Sequence, residues 1–271
     1  MKISLIQMNS GSDKPKNLRD AEQLARRAVE LDGPQLVVLP EHFDWAGGTA
    51  KDKVAAGEAE RDGPAYDMCR RLAEDCKIYV HSGSFYETTP TGDRVYNTSV
   101  IFDPQGRELA RYRKIHLFDI TAPDGLRYGE SDAVAPGSAT AVVSIGGLKF
   151  GLAICYDIRF PELFQQLTRD GAEVLVLPAA FTLQTGKDHW EVLCRARAIE
   201  TQCYFLAAAQ TGAFVQEGNK RFTYGQSLVC DPWGHVIAKA SDGVGFVSAR
   251  IESARISEVR KQIPLASHKV L

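Results

Sequence analysis

Four residues far apart in the sequence, Glu41, Lys114, Glu130 and Cys155, carry side chains that can do covalent chemistry if the fold brings them together. Cys155 ends an apolar run, Leu148 to Ile154, that reads as a buried strand. Pro161 then suits the first turn of a helix, where its missing N–H is no loss. A thiol at such a strand-to-helix corner is thrust out of the sheet beside backbone N–H groups, which is the logic of a nucleophile elbow. A lone cysteine is more often a small buried hydrophobe. Its company alters that reading. Glu41 directly follows the apolar strand Leu36–Leu39 and Pro40, where a carboxylate costs desolvation; it reads as a functional acid or as a cap. Lys114 ends the strand Glu108–Arg113, and the apolar Ile115, Leu117 and Phe118 turn its segment inward, whereas Arg111 and Arg113 read as solvated. Glu130, ahead of the turn at Pro136-Gly137, is by itself an ordinary loop acid.

Positioning these residues requires an α/β framework. Ile3–Met8 reads as a first strand. Ser12 or Asp13 can cap a helix whose apolar face is Leu18, Ala21, Leu24, Ala25, Ala28 and Val29, ended by Gly33-Pro34. A second amphipathic helix runs over Pro64–Cys76, and strands follow at Ile78–Ser84 and Val95–Phe102. The second half repeats this order. Val174–Leu177 with Pro178 matches Val37–Leu39 with Pro40, Asp188–Gln202 matches Pro64–Cys76, and Tyr204–Ala209 matches Ile78–Ser84. Asp231-Pro232-Trp233-Gly234, between Ser227–Cys230 and Val236–Ala240, stands where Asp103-Pro104-Gln105-Gly106 stands. Two similar halves without a Ser- or Pro-rich linker predict one composite domain over residues 1–271, with two sheets face to face and helices outside. The repeat also exposes an asymmetry: Glu41 follows the first Leu-Pro, Ala179 the second.

Composition narrows the function. An apolar content of 44% and a charged content of 24% fit a soluble protein with a sizeable core. A net charge of −2 gives no footprint for nucleic acid or an anionic membrane. No apolar stretch approaches a membrane span, and Ile3–Met8 is too short for a signal-peptide core. Cys69, Cys76, Cys155, Cys194, Cys203 and Cys230 form no C-x-x-C and read as reduced, cytoplasmic thiols. Scattered histidines predict no metal site, and no phosphate-binding glycine loop is present.

The ordered motifs Leu39-Pro40-Glu41, Lys114-x-His116-Leu117-Phe118, Gly129-Glu130-Ser131 with Pro136-Gly137, and Ile154-Cys155-Tyr156-Asp157-x-Arg159-Phe160-Pro161-Glu162 resemble the nitrilase superfamily of carbon–nitrogen hydrolases over essentially the whole chain. His189-Trp190-Glu191-Val192-Leu193, Arg195 to Tyr204 and Asp231-Pro232-Trp233-Gly234 look like the branch of deaminated glutathione amidases and omega-amidases. The resemblance implies a four-layer α-β-β-α sandwich and a homodimer or larger assembly, with helices after the cysteine between subunits. It implies that Cys155 attacks an amide carbonyl to form a thioester and that Glu41 is the general base. Lys114 and the Tyr156 N–H would receive the oxyanion, Lys114 would favour the thiolate, and Glu130 would hold Lys114 or the water. No metal or organic cofactor is required.

Substrate recognition is expected from Tyr156, Arg159, Phe181 and Thr185. A guanidinium at Arg159 suits a carboxylate, or it pairs internally with Glu162; Phe181 can equally be core, and Thr185 a turn residue ahead of Gly186. The implied function is an amidase for a small carboxylate-bearing linear amide, most like deaminated glutathione. Omega-amidase or N-carbamoyl hydrolase activity is the enzymatic alternative. A non-catalytic interaction protein on the same fold is the alternative of another class.

Overall fold

Alternation along two short strands decides the layering. In β1 (Lys2–Gln7) and β2 (Leu36–Val38) every apolar side chain is buried, but odd and even positions go to different cores. Ile3, Leu5, Leu36 and Val38 join one cluster; Ile6, Val37 and the following Leu39 join another. A strand whose two faces are both covered reads as a continuous apolar run, as these do. The second cluster lies under α1 (Lys14–Asp32) and α3 (Pro64–Cys76), through Ala21, Ala25, Leu72 and Ala73. The first cluster holds the opposite sheet together with α4 (Pro161–Arg169) and α5 (Leu183–Thr201). Each fully buried aliphatic side chain in these layers contributes about 1.5–3 kcal/mol. The result is helices, sheet, sheet, helices, the α-β-β-α sandwich expected from the sequence.

The computed structural model describes residues 1–121, 125 and 127–270. The first half also contains α2 (Ala50–Ala55), β3 (Tyr79–His81), β4 (Phe85–Thr88), β5 (Val95–Phe102) and β6 (Glu108–Arg113). A small hairpin, β7 (Asp119–Thr121) and β8 (Arg127–Gly129), leads through a 3-10 turn at Glu130–Asp132 to β9 (Val142–Ile145) and β10 (Leu148–Leu152). After a 3-10 turn at Cys155–Arg159 and α4 come β11 (Val174–Ala179), α5, β12 (Tyr204–Ala209) and the hairpin β13 (Thr211–Gln216) and β14 (Asn219–Tyr224). The chain continues with β15 (Leu228–Cys230), β16 (Val236–Lys239), β17 (Gly245–Arg250), α6 (Ser253–Gln262) and α7 (Leu265–His268).

The half-repeat is visible in the topology. One sheet contains the path β17-β1-β2-β3-β5, with β4 and β6 both on β5; the other runs β16-β15-β12-β11-β10-β9. Parallel β1-β2-β3 followed by antiparallel β5 and β6 corresponds to parallel β10-β11-β12 followed by antiparallel β15 and β16. Even the irregularity is shared: the register shifts at Ile101/Phe102 in one and Val229/Cys230 in the other. Both connecting turns are closed alike. The Asp103 carboxylate accepts from Gln105 and Arg107 N–H, and the Asp231 carboxylate from Trp233 and His235 N–H.

Three elements differ from the sequence reading. The strand expected over Ile78–Ser84 is only Tyr79–His81, because Gly83 takes φ +63° within a packed bend and β4 begins just beyond. α5 starts at Leu183 rather than Asp188; Gly186 sits in its first turn because a Cβ there would meet the Tyr224 Cβ at 2.3 Å. Arg111 and Arg113 are not solvated but grip the buried Glu87 carboxylate, Arg113 Nε donating at 2.9 Å.

Candidate active site

The corner at Cys155 is built around one buried acid. Cys155 takes φ +46°, a left-handed backbone that costs a non-glycine residue about 1–2 kcal/mol. Asp157, fully buried, holds the turn in place. Its carboxylate accepts from Ile154 N–H at 2.8 Å, Tyr112 O–H at 2.7 Å and His116 N–H at 3.1 Å, and lies 2.7 Å from His116 Nδ1. The first hydrogen bond of the turn runs from Asp157 N–H to Ile154 O. The N–H groups of Cys155 and Tyr156 precede it, as the leading donors of a helical turn do.

The four residues singled out in the sequence meet at the carboxyl ends of these strands. Glu41 follows β2, Lys114 follows β6, Glu130 follows β8 and Cys155 follows β10. Lys114 Nζ, fully buried, donates to Glu41 Oε1 at 3.1 Å and to both oxygens of Glu130 at 3.0 and 2.8 Å. Asn97 Nδ2 bridges the same two acids, at 2.9 Å to Glu41 and 3.3 Å to Glu130. Phe118 N–H donates to Glu130 at 2.7 Å, and Ala180 N–H to Glu41 Oε2 at 2.8 Å. Gln210 Nε2 ties the backbone carbonyls of Glu41 and His42 to Ser10. Cys155 lines the same pocket as Glu41, Lys114 and Ala180, and the Glu41 and Lys114 charges both act on its thiol. Glu130 is thus bonded directly to Lys114 through both of its oxygens.

Protonation follows from the neighbours. Burial pushes the Glu41 carboxyl up, but the Lys114 ammonium outweighs it, and the acid is held well below its ordinary range. Burial works against the Lys114 charge as well; Glu130 and Glu41 more than compensate and keep it cationic. The Cys155 thiol is pushed well up, first by burial and then by Glu41, and the opposing pull of Lys114 is too small to free a thiolate. Lys114 thus acts in the direction expected for it, toward the thiolate, but burial and Glu41 outweigh its pull. Burial keeps the His42 ring neutral.

Glu41, His42 and Glu130 place three potential ligand atoms within 4.8 Å of one another. Lys114 Nζ already bonds both carboxylates, so the cluster's cation is the ammonium itself.

These groups lie together in the lining of one pocket that opens to solvent. Tyr156, Phe181 and Thr185 line it, as expected from the sequence. Thr185 is not a loop residue but sits in α5, its hydroxyl 2.7 Å from that of Thr182. Arg159 is not among the lining residues. Its guanidinium stacks over the rings of Phe181 and Tyr156, 5.4 and 5.9 Å from their centroids, and one nitrogen lies 3.3 Å from His189 Nδ1 rather than pairing with Glu162. Sequence reasoning missed Asn97, Gln210, His42, Lys53 and Arg221, all of which bond to the cluster or line the pocket. The turn signal Glu217-Gly218, with both residues at positive φ, could have located the hairpin that carries Arg221.

A mixed sandwich with a buried lysine between two acids, facing a thiol on a strained corner, defines a carbon–nitrogen bond hydrolase. The chain belongs to that family: the Carbon-nitrogen hydrolase profile matches residues 2–261. It is 42% identical to the deaminated glutathione amidase of Synechocystis sp., over 98% of this chain and 96% of that protein. Among solved structures it superposes on the C. elegans NitFhit protein with a TM-score of 0.90 at 38% identity, covering 99% of this chain and 65% of that one. Saccharomyces cerevisiae Nit3, a member of branch 10 of the nitrilase superfamily, matches with a TM-score of 0.87 at 32% identity, over 98% and 94% of the two chains.

Proposed function

We propose that this chain, acting as one catalytic unit over residues 1–271, hydrolyses a small carboxylate-bearing linear amide through a thioester on Cys155. The substrate we assign is deaminated glutathione, the molecule for which the Synechocystis relative is named. The observation that carries the reading is the position of Glu41, bonded to Lys114 and Ala180 N–H and lining one pocket with Cys155, whose thiol feels its charge.

Glu41 takes the thiol proton as sulfur attacks the carbonyl carbon. Once protonated, it attracts Lys114 less, and the ammonium charge is released to the developing oxyanion, with the Tyr156 N–H as second donor. Glu41 then gives its proton to the leaving nitrogen and the amine departs. Water attacks the thioester while Glu41 takes its proton, and the returning thiolate is reprotonated as the carboxylic acid leaves. Glu130 fixes Lys114 throughout. Tyr156, Phe181 and Thr185 shape the pocket around the substrate, and Arg159 contributes from the rim.

The unpaired state of all six cysteines supports a cytoplasmic setting. Exposed Val192 and Ile199, seven residues apart on one face of α5, with Trp233 just before β16 and Ile237 within it, support a homodimer or larger assembly through that face.

Assays of amine and ammonia release test the reading. Glu41→Gln keeps the shape but cannot accept a proton, so kcat should fall by about 10²–10⁴-fold. Lys114→Met should be as damaging, because it leaves the oxyanion uncompensated and two acids unpaired. Either variant within a few-fold of wild type would refute the assigned roles.

A further inference from the structure

Charge in the pocket is unevenly satisfied. Both acids of the site are saturated: Glu41 by Lys114, Asn97 and Ala180 N–H, Glu130 by Lys114, Asn97 and Phe118 N–H. Arg221 on β14 also lines the pocket and is only 5% exposed, yet its Nε and Nη1 have no hydrogen-bond partner among the described residues. Its guanidinium carbon lies 4.3 Å from the centroid of the Tyr128 ring, so one flat face is covered while the donor edge is left over. A buried cation with unused donors is costly unless something completes it. Structural arginines in this chain show the contrast. Arg197, nearly as buried, bonds the Ile158 carbonyl at 2.8 Å and Glu200 at 2.7 Å.

We propose that Arg221 is the specificity-determining residue that receives the carboxylate of the substrate, its planar edge donating to the two oxygens side by side. The inference rests on the amidase reading and adds the group that selects acid-bearing amides. Nε and Nη2, the terminal nitrogen on the same edge of a guanidinium, form a fork matched to a carboxylate; Arg221 Nε has no partner among the described residues, and the fork faces the pocket that Arg221 lines. Stacking on Tyr128 holds that fork in one plane. Lys53, from α2, lines the same pocket and adds positive potential. Arg159 lies outside the lining and is already engaged with His189 and two rings. The carboxylate anchor expected there is therefore better supplied by Arg221.

The test compares glutaramate with pentanamide, five-carbon amides with and without a terminal carboxylate, on wild type, Arg221→Met, Arg221→Lys and Arg159→Met. Wild type should favour glutaramate, and Arg221→Met should reduce that preference in kcat/KM by roughly ten- to a hundredfold. Arg221→Lys should keep part of it, since charge remains but the fork is lost. Arg159→Met should alter the ratio less. Calorimetric binding of glutarate, a non-hydrolysable dicarboxylate, gives a second readout that needs no turnover: Kd should rise by the same factor in Arg221→Met. If wild type releases no ammonia from either amide, the amidase reading fails, and glutarate binding still decides the role of Arg221. An unchanged ratio and unchanged glutarate affinity in Arg221→Met would overturn the proposal. So would equal losses on both amides accompanied by a lower melting temperature, the signature of a structural residue.

Discussion

Glu41 must be ionised to accept a proton, yet it is buried where charge is disfavoured. Lys114 resolves the conflict, and the same lysine is shared with Glu130, so the ammonium stays charged although it too is buried. The thiol bears the consequence, because burial and then Glu41 raise its pKa well above the ordinary value and Lys114 opposes this only partly. This arrangement makes a specific titration prediction. In Glu41→Gln the raising charge is gone and the pull of Lys114 remains, so the Cys155 thiol should ionise at lower pH than in wild type, even as turnover collapses. The pH dependence of iodoacetamide labelling, with the site located by peptide mass spectrometry, measures both proteins. A thiol that titrates at the same or higher pH in Glu41→Gln would contradict the assigned electrostatics. The split between a more ionised thiol and a slower enzyme separates a proton carrier from a cap, whose loss would leave turnover largely intact.

At the scale of elements, the site depends on corners and on a hairpin. Asp157 joins the Cys155 turn to β6 and the segment after it by accepting from Tyr112, Ile154 and His116. Asp157→Ala would strand these donors, at about 1–3 kcal/mol for each one that water cannot reach. We expect a loss of roughly 3 kcal/mol or more in urea unfolding, with a fall in kcat because the nucleophile is no longer held in place. A change within about 0.5 kcal/mol, the range of ordinary surface substitutions, would show that the turn is held otherwise. The corner itself was legible: an apolar run, a cysteine and a proline ahead of an amphipathic helix suffice to place it. Which face of the β13–β14 hairpin turns inward was not, even though its turn carries a signal, and the burial pattern explains why. Arg221 and Thr223 are buried while Lys220 and Phe222 are exposed, so the polarity of the alternation is inverted toward a polar pocket. Asn97 and Gln210 were hidden for a related reason. Each is an ordinary amide in its own strand or loop, and its meaning comes from acids and carbonyls far away in sequence.

Across the whole molecule, the repeated strand order supplied two equivalent strand ends, and only one carries the acid. Glu41 follows β2, whereas the matching position at the end of β11 is Ala179, followed by the Ala180 N–H that bonds Glu41. That asymmetry could be read from two Leu-Pro pairs in the sequence, and the shared register shift at Ile101/Phe102 and Val229/Cys230 shows how deep the repeat runs. The contact between Arg159 and His189 could not be read in this way, because it depends on how α5 is set against the Cys155 turn. Everything proposed for the reaction converges on one covalent event at that turn. Incubating the chain with glutaramate, quenching in acid and digesting for mass spectrometry tests it directly. The account predicts a mass increase equal to the amide less ammonia on the peptide containing Cys155, absent from Cys155→Ala. An adduct on Cys194, Cys203 or Cys230 instead, or ammonia release that survives Cys155→Ala, would contradict it.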